Sequence, residues 1–179
     1  MEEPRALLIT GTVGSGKTSV AETLGDLLAQ DRIPNAVIDV DWLRRSWPSP
    51  PGDRFNRGIT LRNLRAVARN HVEAGALRLV LAGVIESHAE RDAYQIALGV
   101  PLAVCRLTVG LATVRRRLVR RHEEDPDGLR WHLDRSGELD EILQRARVED
   151  VTVDATTKSV REVAAAVRDA VGWSGVVEL

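Results

Sequence analysis

The chain has 179 residues, 44% of them apolar, which is enough for one domain with a sizeable core. Its 25 basic and 26 acidic side chains leave a formal charge of −1, so no global field exists to hold a polyanion and nucleic acid is excluded as a default partner. No apolar run approaches the roughly 20 residues that cross a bilayer, and the acidic start Met1-Glu2-Glu3 precedes only a short apolar strand, so the expectation is a cytoplasmic protein without membrane contact.

Apolar runs and helical stretches alternate along the whole chain, the sequence form of stacked βα units and hence of an α/β fold. Ala6 to Thr10 is a nearly continuous apolar run ending at glycine, as in a central strand buried on both faces. Lys17 to Gln30 follows as a helix, with Val20, Leu24, Leu27 and Leu28 at helical spacing before Pro34. Strand 2 is Ala36 to Val40. The stretch Ser46 to Gly52 carries three prolines and a glycine and reads as an irregular loop. Thr60 to Gly75 is helical, with Leu61, Leu64, Val67 and Ala68 on one face. Leu77 to Ile85 is strand 3, Ala89 to Leu98 a helix ended by Gly99 and Pro101, and Leu102 to Val109 strand 4, in which Cys105 reads as a buried structural thiol.

Leu111 to His122 is an arginine-rich helix, and Glu123 to Gly128 is acidic and turn-forming. A further helix spans about Leu139 to Arg147, and Val151 to Val153 makes strand 5. Ser159 to Val171 closes as an amphipathic helix whose Ser159 and Glu162 have the spacing of a capping box. No repeat, low-complexity tract or linker divides residues 1–179, which read as one domain.

The octet Gly11-Thr12-Val13-Gly14-Ser15-Gly16-Lys17-Thr18 satisfies G-x-x-x-x-G-K-[ST] at every fixed position and lies between an apolar strand and an amphipathic helix, the context this motif requires. Its glycines let the backbone curl with several N–H groups turned inward, and the helix N-terminus adds a positive dipole end. Lys17 reaches the β- and γ-phosphates of a nucleoside triphosphate as a cation, and the Thr18 hydroxyl is placed to ligate Mg²⁺. Ser19 completes the set of candidate nucleotide contacts at this end. MgATP is the expected ligand.

With this octet, the pair Asp39 and Asp41, and the segment Arg117-Leu118-Val119-Arg120-Arg121, the chain resembles the small phosphate-loop kinases. That group includes adenylate-kinase-like enzymes, shikimate kinase, gluconate kinase, adenylylsulfate kinase, chloramphenicol phosphotransferase and the zeta toxins. The resemblance implies a phosphate-loop NTPase fold, a three-layer sandwich around a five-stranded parallel sheet of order 2-3-1-4-5 with a helical lid at about 123–137. Donor and acceptor would meet above the carboxyl ends of the strands.

Asp39 and Asp41 are two apart at the end of strand 2, so persisting strand geometry would project both carboxylates to one side, over the phosphate loop. By resemblance, Asp41 is the candidate base that accepts the acceptor's proton, and Asp39 the candidate for a water-mediated metal contact. An acidic N-cap for the turn Trp42 to Arg45 is the competing reading. Arg44 or Arg45 reads either as an anion contact or as a solvated charge. In the resembled kinases R-L-x-x-R sets one arginine against the adenine and another on the transferring phosphate; here these are Arg117 and Arg121, one turn apart on one helix face.

Departures from the pattern lie in strand 3, which has no aspartate. Metal handling then falls to Thr18, Asp39 and Glu86, the nearest carboxylate at the strand's end, while Glu86 and Arg91 are candidate acceptor contacts. Thr157-Lys158-Ser159-Val160 has valine where a guanine-reading element needs aspartate, so adenine is expected beside Thr156. Trp42 and Trp47 read either as core or as an aromatic pocket wall.

The function expected is transfer of the γ-phosphoryl group of ATP to a hydroxyl of a small metabolite or antibiotic, by a monomer or homodimer. A nucleoside monophosphate kinase and a nucleotide-binding switch or ATP-hydrolysing regulator are the alternatives.

Overall fold

The computed structural model describes residues 2–121 and 126–174. In chain order it contains β1 (Arg5–Gly11), α1 (Lys17–Gln30), β2 (Asn35–Asp39), α2 (Val40–Leu43), α3 (Arg57–Glu73) and β3 (Arg78–Ala82). There follow α4 (His88–Leu98), β4 (Leu102–Thr108), α5 (Leu111–Arg121), α6 (Pro126–Ala146), β5 (Val151–Asp154) and α7 (Val160–Ala170).

The strands form one parallel sheet of order β2-β3-β1-β4-β5, the expected order, with helices on both faces. Period-two alternation within the strands divides the core. Leu7 and Ile9 of β1, with Val80, Cys105, Leu107 and Val153, face Leu24 and Leu28 of α1 and Val163 and Val167 of α7. Leu8, Leu79, Leu81 and Val104 point the other way, onto Leu64 of α3 and Tyr94 and Leu98 of α4. Burial pushes the Cys105 thiol up to about 12, so it stays neutral and inert as expected. At the opposite end of the strands from the phosphate loop, Arg78 is buried, pairs with Glu2 and stacks on Trp173, its guanidinium carbon 5.4 Å from the ring centroid.

Besides shifted ends, such as β3 stopping at Ala82 where Ile85 was expected and α3 starting at Arg57 instead of Thr60, two segments differ in kind from expectation. β2 stops at Asp39, and the chain turns at once into α2, so Asp41 lies in the first turn of a helix instead of two positions along a strand. The second difference is α6. It runs for 21 residues from Pro126, where a turn and then a helix from about Leu139 were expected. Proline suits a first helical position because the N–H it lacks would be unpaired there anyway, and Asp127 favours the positive helix end. Gly128 and Gly137 do not interrupt it, because Ser136, Leu139 and Leu143 recur at helical spacing and bury against the body of the protein. Residues 123–125 of the expected lid lie outside the described residues; 126–137 belong to this docked helix.

α6 is also anchored by charge. Arg106, in the middle of β4 and 5% exposed, holds Asp140 of α6 at 2.9 Å and Glu149 at 3.6 Å. A buried guanidinium forfeits hydration, and two carboxylates compensate it. Replacing it strands both acids at the sheet edge. Arg106→Met is therefore expected to cost about 2–3 kcal/mol of stability in urea denaturation, and adding Asp140→Asn to recover part of that loss.

Candidate nucleotide and acceptor site

The loop after β1 has the shape its glycines permit: Gly14 and Gly16 sit at φ 78° and 94°, which a Cβ would make costly. Gly16 is also the N-cap of α1 and offers no side chain to the first-turn amides, so these donors remain available to an anion. Lys17 lies at the start of α1 and curls back, its Nζ donating to the carbonyls of Gly11 and Thr12, each at 3.0 Å. The hydroxyl of Thr12 donates to the backbone oxygen of Ser136 in α6 at 2.5 Å, a buried link between loop and helix.

Thr18 and Asp39 meet beside the loop. The Thr18 hydroxyl donates to Asp39 Oδ2 at 3.0 Å, while Asp39 Oδ1 accepts the backbone N–H of Asp41 at 2.9 Å and so caps α2. The capping reading thus holds for Asp39 without removing it from the loop. Asp41, its side chain 67% exposed, has Oδ1 3.4 Å from Arg44 Nε. Among the described residues no cluster of three or more His, Cys, Asp or Glu side chains is disposed to cage a metal. The hard oxygens of Thr18 and Asp39 fit Mg²⁺, which takes one or two protein oxygens and completes its shell with phosphate and water.

A cavity of about 580 Å³ opens over the loop. Gly14, Gly16, Lys17, Thr18 and Ser19 form its floor, and Asp39 and Asp41 one wall. Arg117 closes the α5 side. Its Nη1 donates to the Ser15 oxygen at 3.2 Å and its Nη2 to the Ala155 oxygen at 3.1 Å, tying the loop to the segment after β5. The other described arginines of α5, Arg115, Arg116 and Arg120, are exposed, and the Arg121 side chain lies outside the described residues. Thr156 stands behind Arg117's carbonyl partner, its hydroxyl accepting from Gly110 N at 3.0 Å and donating to Asp154 at 2.6 Å. The Thr156 hydroxyl, with the Thr156 backbone N–H, holds the Asp154 carboxyl below its usual range.

Glu86 and Arg91 are not brought to the cavity. Glu86 pairs with Arg135 of α6 at 2.6 Å, and the Arg91 guanidinium is spent on Asp150 at 2.8 Å and the Val148 carbonyl at 2.7 Å, tying α4 to the start of β5. Arg44 sits behind Asp41, its carbonyl accepting from Asn56 at 2.8 Å.

Part of the cavity lining is aromatic. Trp42 of α2 lines it at 68% exposure with Arg45 stacked on the ring, the guanidinium carbon 4.7 Å from the centroid. Trp131 and His132 of α6 line it as well, Trp131 at 61% exposure and the two rings edge to face at 4.8 Å. The His132 Nδ1 lies 2.6 Å from the Gly128 oxygen. Neither Trp131 nor His132 is legible as a site residue without knowing that α6 starts at Pro126. Trp47, 93% exposed, lies in a shallow neighbouring groove with Arg45.

The family model of the AAA domain matches residues 7–144. A curated relative, the probable adenylyl-sulfate kinase of Aeropyrum pernix, is 37% identical over 68 residues; the match covers 38% of this chain and spans about a third, 36%, of that relative's length. The structure of the Mycobacterium tuberculosis APS kinase CysC, in complex with AMPPNP and APS, is 25% identical, with 96% of this chain and 99% of that chain covered at a TM-score of 0.62. The shikimate kinase of Acinetobacter baumannii, in complex with shikimate, shares the fold at 18% identity and a TM-score of 0.61, over 98% of this chain and 96% of its own. With its order of strands, its phosphate loop and a family match over most of its length, the chain belongs to the AAA domain family and is built as a small phosphate-loop kinase.

Proposed function

We propose that the protein transfers the γ-phosphoryl group of MgATP to a hydroxyl of a small molecule. One observation carries this reading: the phosphate loop, two carboxylates and aromatic side chains line the same cavity, which supports reading them as donor site, base and acceptor surface. The triphosphate lies on the free amides at the start of α1 with Lys17 against its outer phosphates. Thr18 and Asp39 would hold Mg²⁺, which when bound would neutralise phosphate charge. Arg117 fixes the loop's edge beside the nucleotide. The acceptor's oxygen forms a bond to the γ-phosphorus as the bond to the bridging oxygen of ADP breaks, and the hydroxyl proton passes to Asp41. Positioning and charge account for most of the rate in such a transfer, and the base adds to them.

Trp42 and Trp131 offer flat apolar surface, and Arg45 on Trp42 offers a cation, so the acceptor presents an apolar face together with an anionic group. The Arg45 stack also supports the second reading, a nucleoside monophosphate as acceptor, in which a phosphate oxygen replaces the hydroxyl and no base is needed. A panel of phosphate-free hydroxy acids, glycosides, antibiotics and nucleotides, read by coupled ADP release, tests the proposal. ADP release that no acceptor raises above the basal rate would support a regulator and sink the kinase reading. In the same assay Lys17→Ala is expected to abolish detectable transfer, because the cation following the γ-phosphate is gone.

Asp41→Asn separates the roles left open for that residue. As base, its loss leaves MgATP affinity little changed in calorimetry while single-turnover transfer falls by roughly 10²–10⁴-fold. Unchanged transfer and unchanged binding would remove Asp41 from the mechanism and favour the nucleotide acceptor.

A further inference from the structure

The phosphate loop and α6 meet through one buried hydrogen bond whose two partners lie 124 residues apart in the chain. Thr12 is 3% exposed and Ser136 4%, so no water stands ready to replace either partner if the bond is lost. The acceptor is a carbonyl in the middle of a helix, where a second lone pair is available to the hydroxyl. Ser136 marks a boundary along α6. Beyond it the helix is fixed by buried Leu139 and Leu143 and by the Arg106–Asp140 pair; before it, Trp131 and His132 face the cavity. At the boundary Gly137 has nothing within 4 Å of where a Cβ would stand, so the turn is open on that side and held on the other by buried Ser136. Arg135 also ties the cavity-facing half to Glu86, but that pair is reached by solvent on both sides.

On the loop side, the same Thr12 whose hydroxyl holds α6 accepts Lys17 Nζ with its carbonyl. Phosphate oxygens are stronger partners for an ammonium than neutral carbonyls are. A triphosphate on the loop therefore draws Lys17 from the Gly11 and Thr12 oxygens, and the backbone of residue 12 is the element that responds. We infer that Thr12 is a positioning residue that transmits occupancy of the phosphate loop to the cavity-facing half of α6, setting Trp131 and His132 over the acceptor once the donor is bound. The inference rests on the nucleotide reading of the loop given above. It makes binding ordered: donor first, acceptor wall second.

Amide hydrogen exchange with MgAMPPNP as the probe tests this without knowing the acceptor. Thr12→Ser and Thr12→Ala both shed the methyl group and differ in the hydroxyl, so the comparison isolates the bond even if packing loosens. Each protein is examined with and without saturating MgAMPPNP, and protection of residues 14–19 reports occupancy. Wild type and Thr12→Ser are expected to slow exchange over residues 128–136 by about tenfold on binding, and Thr12→Ala by less than about twofold, the scale of one buried hydrogen bond. A merely structural bond would make α6 of Thr12→Ala exchange faster with and without the probe while preserving the slowing on binding, and that result overturns the inference. So does a wild type whose loop is protected while residues 128–136 do not respond. Absence of protection at residues 14–19 in wild type would instead defeat the nucleotide reading, and the inference with it.

Discussion

The working end of the molecule follows from how β1 stops. β1 is hydrogen-bonded on both edges, to β3 and β4, and is buried from Ala6 to Gly11, so its position is set by the whole sheet. β3 ends at Ala82, which pairs with Ile9, and β4 at Thr108, so the backbone donors that follow Gly11 must find partners outside the ladder. The loop answers by curling into the start of α1, and because the cap there is glycine no side chain competes for those amides. An anion is the natural occupant of such a place. The parallel arrangement then gathers every other loop of consequence at the same edge.

β2 illustrates the point. Its last residue, Asp39, divides one carboxylate between two tasks, one oxygen closing α2 and the other meeting Thr18. A strand that continued would have aimed Asp41 parallel to Asp39; the capped turn gives Asp41 its own direction and pairs it with Arg44. The same turn lifts Trp42 into solvent, where burial would normally be worth a few kcal/mol to so large a ring. On the proposed reading, this exposed indole on the cavity wall is surface for the acceptor.

The strands and the phosphate loop were legible because their signals are local: apolar runs bounded by glycine and proline, and eight consecutive residues with fixed chemistry; the strand order came only with the resemblance those residues carry. The capping box at Ser159 and Glu162 belongs with these. What stayed hidden depends on partners distant in the chain. Arg106 reads as a flaw in an apolar strand until Asp140 and Glu149 come alongside it. Glu86 and Arg91 read as residues at the top of a strand, and only the arrival of Arg135 and Asp150 shows where their charges are spent. α6 was obscured by a proline and two glycines, residues that end helices in isolation and are outweighed here by the burial of Ser136, Leu139 and Leu143. With its first thirteen residues unread, Trp131 and His132 could not be placed.

The four tryptophans divide unequally between environments. Trp173 is sealed at 6% exposure, Trp47 stands almost free in water, and Trp42 and Trp131 share the rim of one cavity from opposite helices. Indole emission shifts to shorter wavelength when water leaves the ring. The chain therefore carries an intrinsic optical reporter on the wall of that cavity, read against a dry background from Trp173 and a wet one from Trp47, with no dye or label attached.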